Sequence, residues 1–159
     1  MTVRAARPGD EADIHRMVVE LAEYERAADE VAATPADLAT ALFADSPAVF
    51  CHVVAGADGL DAFALWYVTY STWTGRHGIW LEDLYVRPAH RGRGIARALL
   101  AELAAECERR GYRRLEWWVL DWNDPALAFY DSIGATPMSE WTVQRLDGPA
   151  LHALGREAT

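Results

Sequence analysis

The chain has 159 residues and a formal net charge of −9, with 52% of its residues hydrophobic and 25% charged. That length and composition fit one globular domain over residues 1–159, large enough to bury a core. The acidic balance and the absence of a Lys/Arg-rich face argue against nucleic-acid binding, no apolar run is long enough to span a membrane, and an acidic surface suits a cationic substrate as well as plain solubility.

The N-terminal segment has no apolar signal-like stretch, which makes the cytoplasm the expected location. The two cysteines, Cys51 and Cys107, lie in apolar patterns and read as small core residues rather than as a disulfide or metal pair. No cysteine or histidine shows zinc-like spacing, so no metal is expected.

Residues 2–6 read as a short strand. Pro8-Gly9-Asp10 then turns into a helix with Ile14, Met17, Val18 and Leu21 at helical spacing, closed by Tyr24-Glu25. Thr34 as N-cap, Pro35 at the first position and Asp37 at the third predict a second helix that stops before Asp45-Ser46-Pro47. Residues 49–55 and 60–71 are β-branched and apolar runs around the turn Gly56-Ala57-Asp58-Gly59, a hairpin signature. A loop over 72–78 precedes a third run, 79–86, which Pro88 ends.

Residues 95–110 give the clearest helix, with Ile95, Leu99, Leu103 and Cys107 on one stripe and Leu100 beside it. Gly111 is placed as its C-terminal cap. The unbroken run Trp117-Trp118-Val119-Leu120 predicts a strand over 115–120, buried on both faces. A short helix from Asp124 to Ile133, a final strand over 141–146 and a tail complete the chain. The order predicts an α/β fold, a mixed sheet with helices on both faces.

The segment Leu81–Ala96 concentrates the chemistry. It holds two acids, Glu82 and Asp83, and then the turn Arg91-Gly92-Arg93-Gly94 leading into a helix. Glycines let a backbone approach a ligand, a helix N-terminus offers unpaired N–H groups, and arginines suit phosphate. The turn lacks the Gly-Lys-Ser/Thr of a P-loop. It also carries bulky Arg97 where a dinucleotide fingerprint needs Gly or Ala.

The pattern from Val86 and Pro88 through Arg91-Gly92, Gly94 and Ile95-Ala96 is followed by a helix, a strand and then Asn123, Ala126, Phe129-Tyr130 and Gly134. This pair of motifs, in this order and separation, resembles the GNAT superfamily of N-acetyltransferases. Leu21-Ala22-Glu23-Tyr24-Glu25, Tyr67 with Thr69-Tyr70, Trp73 and Gly75, Trp80-Leu81-Glu82-Asp83, and Trp122-Asn123 with Pro125 resemble its diamine (spermidine/spermine) group, with which a thialysine-type group shares these motifs.

The resemblance implies a GNAT fold of about seven strands and about four helices. It also implies transfer of an acetyl group from acetyl-CoA to a primary amine of a small cationic acceptor, by direct attack in a ternary complex. A diamine or polyamine is the first expectation and a thialysine-like amino-acid amine the alternative. From another class, a non-catalytic acyl-CoA-binding regulatory protein is the rival, and retention of Glu82 and Tyr130 speaks against it.

By the resemblance, Leu84, Tyr85 and Val86 line the pantetheine. Arg91, Gly92, Arg93, Gly94, Ile95, Ala96 and Arg97 hold the pyrophosphate, and Asn123, Ala126 and Tyr130 touch the coenzyme further along. Tyr130 is implied as general acid toward the CoA thiolate and Glu82 as proton acceptor. Tyr24, Glu25, Trp73, Glu82, Asp83 and Glu140 are implied as the acceptor site. Relatives are homodimers that pair or exchange C-terminal strands, which implies an interface at 141–146. Ala126 and Ala128 depart from the polar residues common in relatives.

Physical chemistry agrees with these roles. An alkyl amine with a pKa of about 10.4 arrives as an ammonium that cannot attack a thioester until a carboxylate takes its proton. Without the resemblance, Glu82 reads equally as a solvated strand residue, Asp83 as its neighbour on the opposite face, and Phe129-Tyr130 as a packed helix face. Trp66, Trp117 and Trp118 read as core.

Overall fold

The computed structural model describes residues 2–158. They fall into two compact units, Met1–Trp118 and Val119–Thr159.

The first unit runs β1 (Val3–Ala5), α1 (Glu11–Tyr24), α2 (Pro35–Phe43), β2 (Val49–Ala55), β3 (Leu60–Ser71), β4 (Arg76–Val86), α3 (Ile95–Arg110) and β5 (Leu115–Trp117). The five strands form one sheet in chain order. β1 to β4 are antiparallel neighbours, and β5 joins β4 in parallel after the α3 crossover. This is the mixed α/β architecture that the sequence predicts.

Alternation along the strands divides the core. Ile14 and Met17 of α1 and Leu42 of α2 pack on Cys51, Val53, Phe63, Leu65 and Tyr85 on one face of the sheet. The opposite face carries Ala62, Ala64 and Trp66 of β3 with Leu81 of β4, all buried. The stripe predicted for α3 is buried as predicted, at Ile95, Leu99, Leu100, Leu103 and Cys107. Arg110 at its end stacks over Phe50 and Trp66 at 5.4 and 5.5 Å. Thr34 and Asp37 form a reciprocal capping box at the start of α2. Both cysteines are free and buried, and Gly111 caps α3 in the left-handed region.

Several details differ from the sequence reading. Among the described residues the sheet has five strands, not about seven, and there are five α-helices, not about four. β4 begins at Arg76 instead of residue 79, because Gly78 acts as a strand residue: it pairs with Thr69, and a Cβ there would meet the Arg114 carbonyl at 2.9 Å. β5 stops at Trp117, so Trp118 (58% exposed) and Leu120 (39% exposed) are not the doubly buried residues that an unbroken apolar run implies. Trp117 itself is only half-buried.

In the second unit, residues 141–146 form no strand, and Gly148–Gly155 forms a helix, α5, where a tail was expected. An apolar run identifies a strand only where a neighbour completes its hydrogen bonds. α4 (Asp124–Ser132) is present as expected, ended by Gly134 with φ +83°. Among the described residues no helix is long and apolar enough to cross a membrane.

The end of β4 is tied to α1 by charge. Arg87 meets Asp13 at 2.9 Å and Glu20 at 3.1 Å and donates to the Leu60 carbonyl at 2.7 Å, while Asp13 also accepts the Leu60 N–H at 2.5 Å. Asp13 is buried, and against the raising effect of burial the Leu60 N–H and then Arg87 hold its carboxyl below the usual range. Removing Arg87 leaves Asp13 without its main counter-charge. Arg87→Ala should therefore lower the unfolding free energy by about 3 kcal/mol, read from the urea midpoint at unchanged m-value.

Candidate active site

The centre of the site is an irregularity in β4. Trp66 of β3 faces Leu81, and its neighbour Leu65 faces Asp83, so Glu82 is one residue too many in the ladder. Such a bulge leaves the extra residue unpaired and resets the alternation after it. Trp80 faces Tyr67 before the bulge, and Asp83 faces Leu65 after it. Because Tyr67 and Leu65 share a face of β3, Trp80 and Asp83 share one as well.

The sequence reading put Glu82 and Asp83 on opposite faces. The bulge overturns that. The Glu82 carboxylate lies on the Trp80 side, accepting the indole N–H at 3.1 Å. Its charge raises the Tyr67 phenol, second to burial, and raises the Asp83 carboxyl.

Three acids meet here. Asp83 is pushed from 3.8 up to about 6, first by burial and then by the charges of Glu82 and Glu25. Glu25, just past the C-terminal end of α1, is itself raised by partial loss of solvent. Trp118 sets its ring edge-on to Trp80, with centroids 5.0 Å apart. Tyr67, Trp80 and Trp118 thus stand beside the acids. The sequence reading left all three out of the site, although Tyr67 and Trp80 fall inside the motifs it used.

The second feature is the turn into α3. Gly92 and Gly94 adopt φ +73° and +77°, and a Cβ at either would meet nothing within 4 Å. Gly94 is the N-cap and offers no side chain to the helix, whose first internal bond runs from Ala98 N–H to the Gly94 carbonyl at 3.0 Å. The N–H groups of Ile95, Ala96 and Arg97 precede that bond and have no helical acceptor.

Arg91 does not follow the sequence expectation. Its Nε donates to the Val86 carbonyl at 2.9 Å, and its guanidinium lies 5.2 Å from the Tyr24 ring centroid and 5.7 Å from that of Tyr85. It braces the turn from within, and exposed Arg93 and Arg97 remain as the cations on its surface. Beside the turn, the β4–β5 ladder ends at Leu81–Trp117, so Leu84, Tyr85 and Val86 have no β5 partner. An uncapped glycine turn next to an open strand edge fits a phosphorylated ligand with an amide-bearing arm.

Other predicted residues are dispersed. Trp73 is 88% exposed at the tip of the β3–β4 turn, four ladder pairs beyond Tyr67–Trp80. Asn123, Ala126, Tyr130 and Glu140 belong to the second unit. There Asn123 caps α4, its Oδ1 accepting the Ala126 N–H at 3.4 Å, and Tyr130 is half-buried with its ring against Phe129 at 5.4 Å. Glu140 is exposed in a turn. A cavity of about 580 Å³ lies elsewhere in the first unit, between the β3–β4 turn and the C-terminal end of α3. It is lined by Tyr70, Gly75, His77, Arg110 and Tyr112 among others and contains none of the predicted site residues.

The model of the acetyltransferase (GNAT) family matches residues 14–135. The chain belongs to this family. It is an N-acetyltransferase that takes its acetyl group from acetyl-CoA. It is 36% identical to the thialysine N-epsilon-acetyltransferase of Sus scrofa over 163 residues, covering 96% of this chain and 95% of that protein. It is 33% identical over 144 residues to the spermidine/spermine N(1)-acetyltransferase-like protein 1 of Homo sapiens, which covers 86% of this chain but 21% of that protein. Among solved structures, an integron cassette protein from the V. cholerae mobile metagenome superposes with a TM-score of 0.80 at 26% identity, covering 98% of this chain and 97% of that one.

The raised Asp83 carboxyl has a consequence for stability. The folded chain keeps this proton to about 6, whereas the unfolded chain releases it near 3.8. Between those values the folded state binds more protons, so this group makes stability fall as pH rises, with the penalty complete above about 6. Asp83→Asn should remove that fall and raise Tm by about 3 °C at pH 8, with little effect at pH 4, as scanning calorimetry across pH would register.

Proposed function

We propose that the acceptor is a small diamine or polyamine and that the cluster of Glu25, Glu82 and Asp83 binds it. The carrying observation is the upward shift of Asp83 to about 6 by burial and by two like charges. A cluster that resists ionisation is relieved by an entering cation, and an ammonium-rich ligand without an anionic group gains most from it. Tyr67, Trp80 and Trp118 beside the acids add faces that attract an ammonium. Tyr24, Trp73 and Glu140 complete the proposed acceptor set.

Glu82 takes the proton from the attacking ammonium, directly or through one water, freeing the nitrogen lone pair. Acetyl-CoA supplies the acetyl group as an activated thioester. Leu84, Tyr85 and Val86 offer the open strand edge to its arm, and the N–H groups from Gly92 to Arg97 face its pyrophosphate, with Arg93 and Arg97 adding charge. Asn123 and Ala126 extend that site. Tyr130 gives its phenolic proton to the departing thiolate, whose own thiol pKa of about 8.5 makes it a better leaving group when protonated. Both units serve one catalytic domain.

A second reading rests on the 36% identity to a thialysine N-epsilon-acetyltransferase, which makes an amino-acid side-chain amine the alternative acceptor. Such a ligand brings a carboxylate toward the acids, which the charge pattern disfavours. We further propose a cytoplasmic homodimer. Val143 and Leu146, exposed in a segment outside any strand, support pairing of this segment with a second copy.

Thiol release should be several-fold faster with putrescine or spermidine than with thialysine or ornithine at equal concentration; the reverse ranking selects the second reading. Glu82→Gln and Tyr130→Phe should each lower kcat about 100-fold, while calorimetry shows acetyl-CoA affinity unchanged. A wild-type kcat in either variant would remove that residue from its role. Because Asp83 ionises near 6, the affinity for a diamine should strengthen from pH 5 to pH 7, and Asp83→Asn should flatten this rise in a calorimetric titration.

A further inference from the structure

The bulge leaves Glu82 without a cross-strand partner on an exposed stretch of β4. A glutamate there has three side-chain torsions to satisfy and no neighbour in register to fix them. One contact does so: the Trp80 indole N–H donates to Glu82 Oε2 at 3.1 Å. The indole is itself fixed. Its ring meets Trp118 edge-on at 5.0 Å with an interplanar angle of 81°, and its backbone faces Tyr67 across the β3–β4 ladder. Trp118 immediately follows Trp117, the residue that pairs with Leu81 at the end of β5. A chain of packed groups thus runs from the end of the parallel ladder to one oxygen of the Glu82 carboxylate.

We infer that Trp80 is a positioning residue for acetyl transfer: its indole N–H holds Oε2 of Glu82, leaving Oε1 for the proton of the acceptor ammonium. The inference rests on the reading of Glu82 as proton acceptor. Trp80 moves no proton itself. It removes the rotational freedom that the carboxylate would otherwise lose at each turnover, which is an orientational gain in kcat rather than in binding. The indole donates and cannot accept, so it can only bind this carboxylate, never compete with it for the acceptor proton. Phenylalanine at position 80 keeps an aromatic ring and removes the donor.

The test is a double-mutant cycle in thiol-release kinetics with acetyl-CoA and spermidine as probes. Trp80→Phe in the wild-type background should lower kcat about fivefold, with the KM for acetyl-CoA unchanged within about twofold. In the Glu82→Gln background the same substitution should cost nothing further, because the carboxylate it positions is gone. Glu82→Asp gives a second arm, since a shorter acid withdraws from the indole while Trp80 stays in place; Trp80→Phe should again add no loss there. An equal loss of kcat in all backgrounds, or a loss confined to KM, overturns the positioning role. If Glu82→Gln alone keeps the wild-type kcat, the proton-acceptor reading fails, and this inference fails with it. A Trp80→Phe effect that is additive with a large Glu82→Gln effect overturns only the inference.

Discussion

One residue too many in β4 sets the arrangement of the acid cluster in this enzyme. Glu82 has no partner on β3, and every side chain from Asp83 onward is reset against the sheet because of it. Without the bulge, a strand with strict alternation would separate the two neighbouring acids, one to each face. With it, Trp80 and Asp83 share a face, and Glu82 turns to the same side through the Trp80 N–H. The ladder can absorb this extra residue because both sides of it are well held. Before the bulge β4 is paired on both edges, by β3 and β5, and after it Arg87 ties the strand end to Asp13 and Glu20 of α1.

The acids are brought together against their own repulsion. Burial beside the apolar face that includes Leu65 and Tyr85, together with the charges of Glu82 and Glu25, keeps Asp83 partly protonated near neutral pH. This is a stability cost placed where we propose that a cation binds, and a bound ammonium would offset it. The same logic fits the nearby aromatic rings: in the proposed acceptor site, Tyr67, Trp80 and Trp118 would give an ammonium a low-polarity wall without supplying any competing positive charge.

The proposed coenzyme side presents the opposite electrostatics and almost no side chains. Two left-handed glycines, an uncapped helix start and an open strand edge present backbone donors. Arg91, the motif residue that looks most like a phosphate ligand, instead stacks on Tyr24 and Tyr85 and bonds the Val86 carbonyl. It therefore links the end of α1, where Glu25 lies, to the strand and turn of the proposed coenzyme site. A guanidinium is suited to this bracing role because its flat faces can lie against rings while its edge still donates.

Much of the architecture is written locally. The β2–β3 hairpin, α2 with its Thr34–Asp37 box and the buried stripe of α3 follow from periodicity and capping, which depend on near neighbours in the chain. The glycine turn and its family motifs are likewise contiguous, so the sequence by itself determined the fold class, the family and the donor. It could not determine the ends of β5 or the loss of the 141–146 strand, because strand pairing needs a partner that no local pattern names. Nor could it place Trp80, Tyr67 and Trp118 beside the acids or turn Arg91 inward. Those arrangements depend on register across the sheet, and a single unpaired residue at Glu82 reverses the facing that the sequence alone implies; only the tertiary structure decided it.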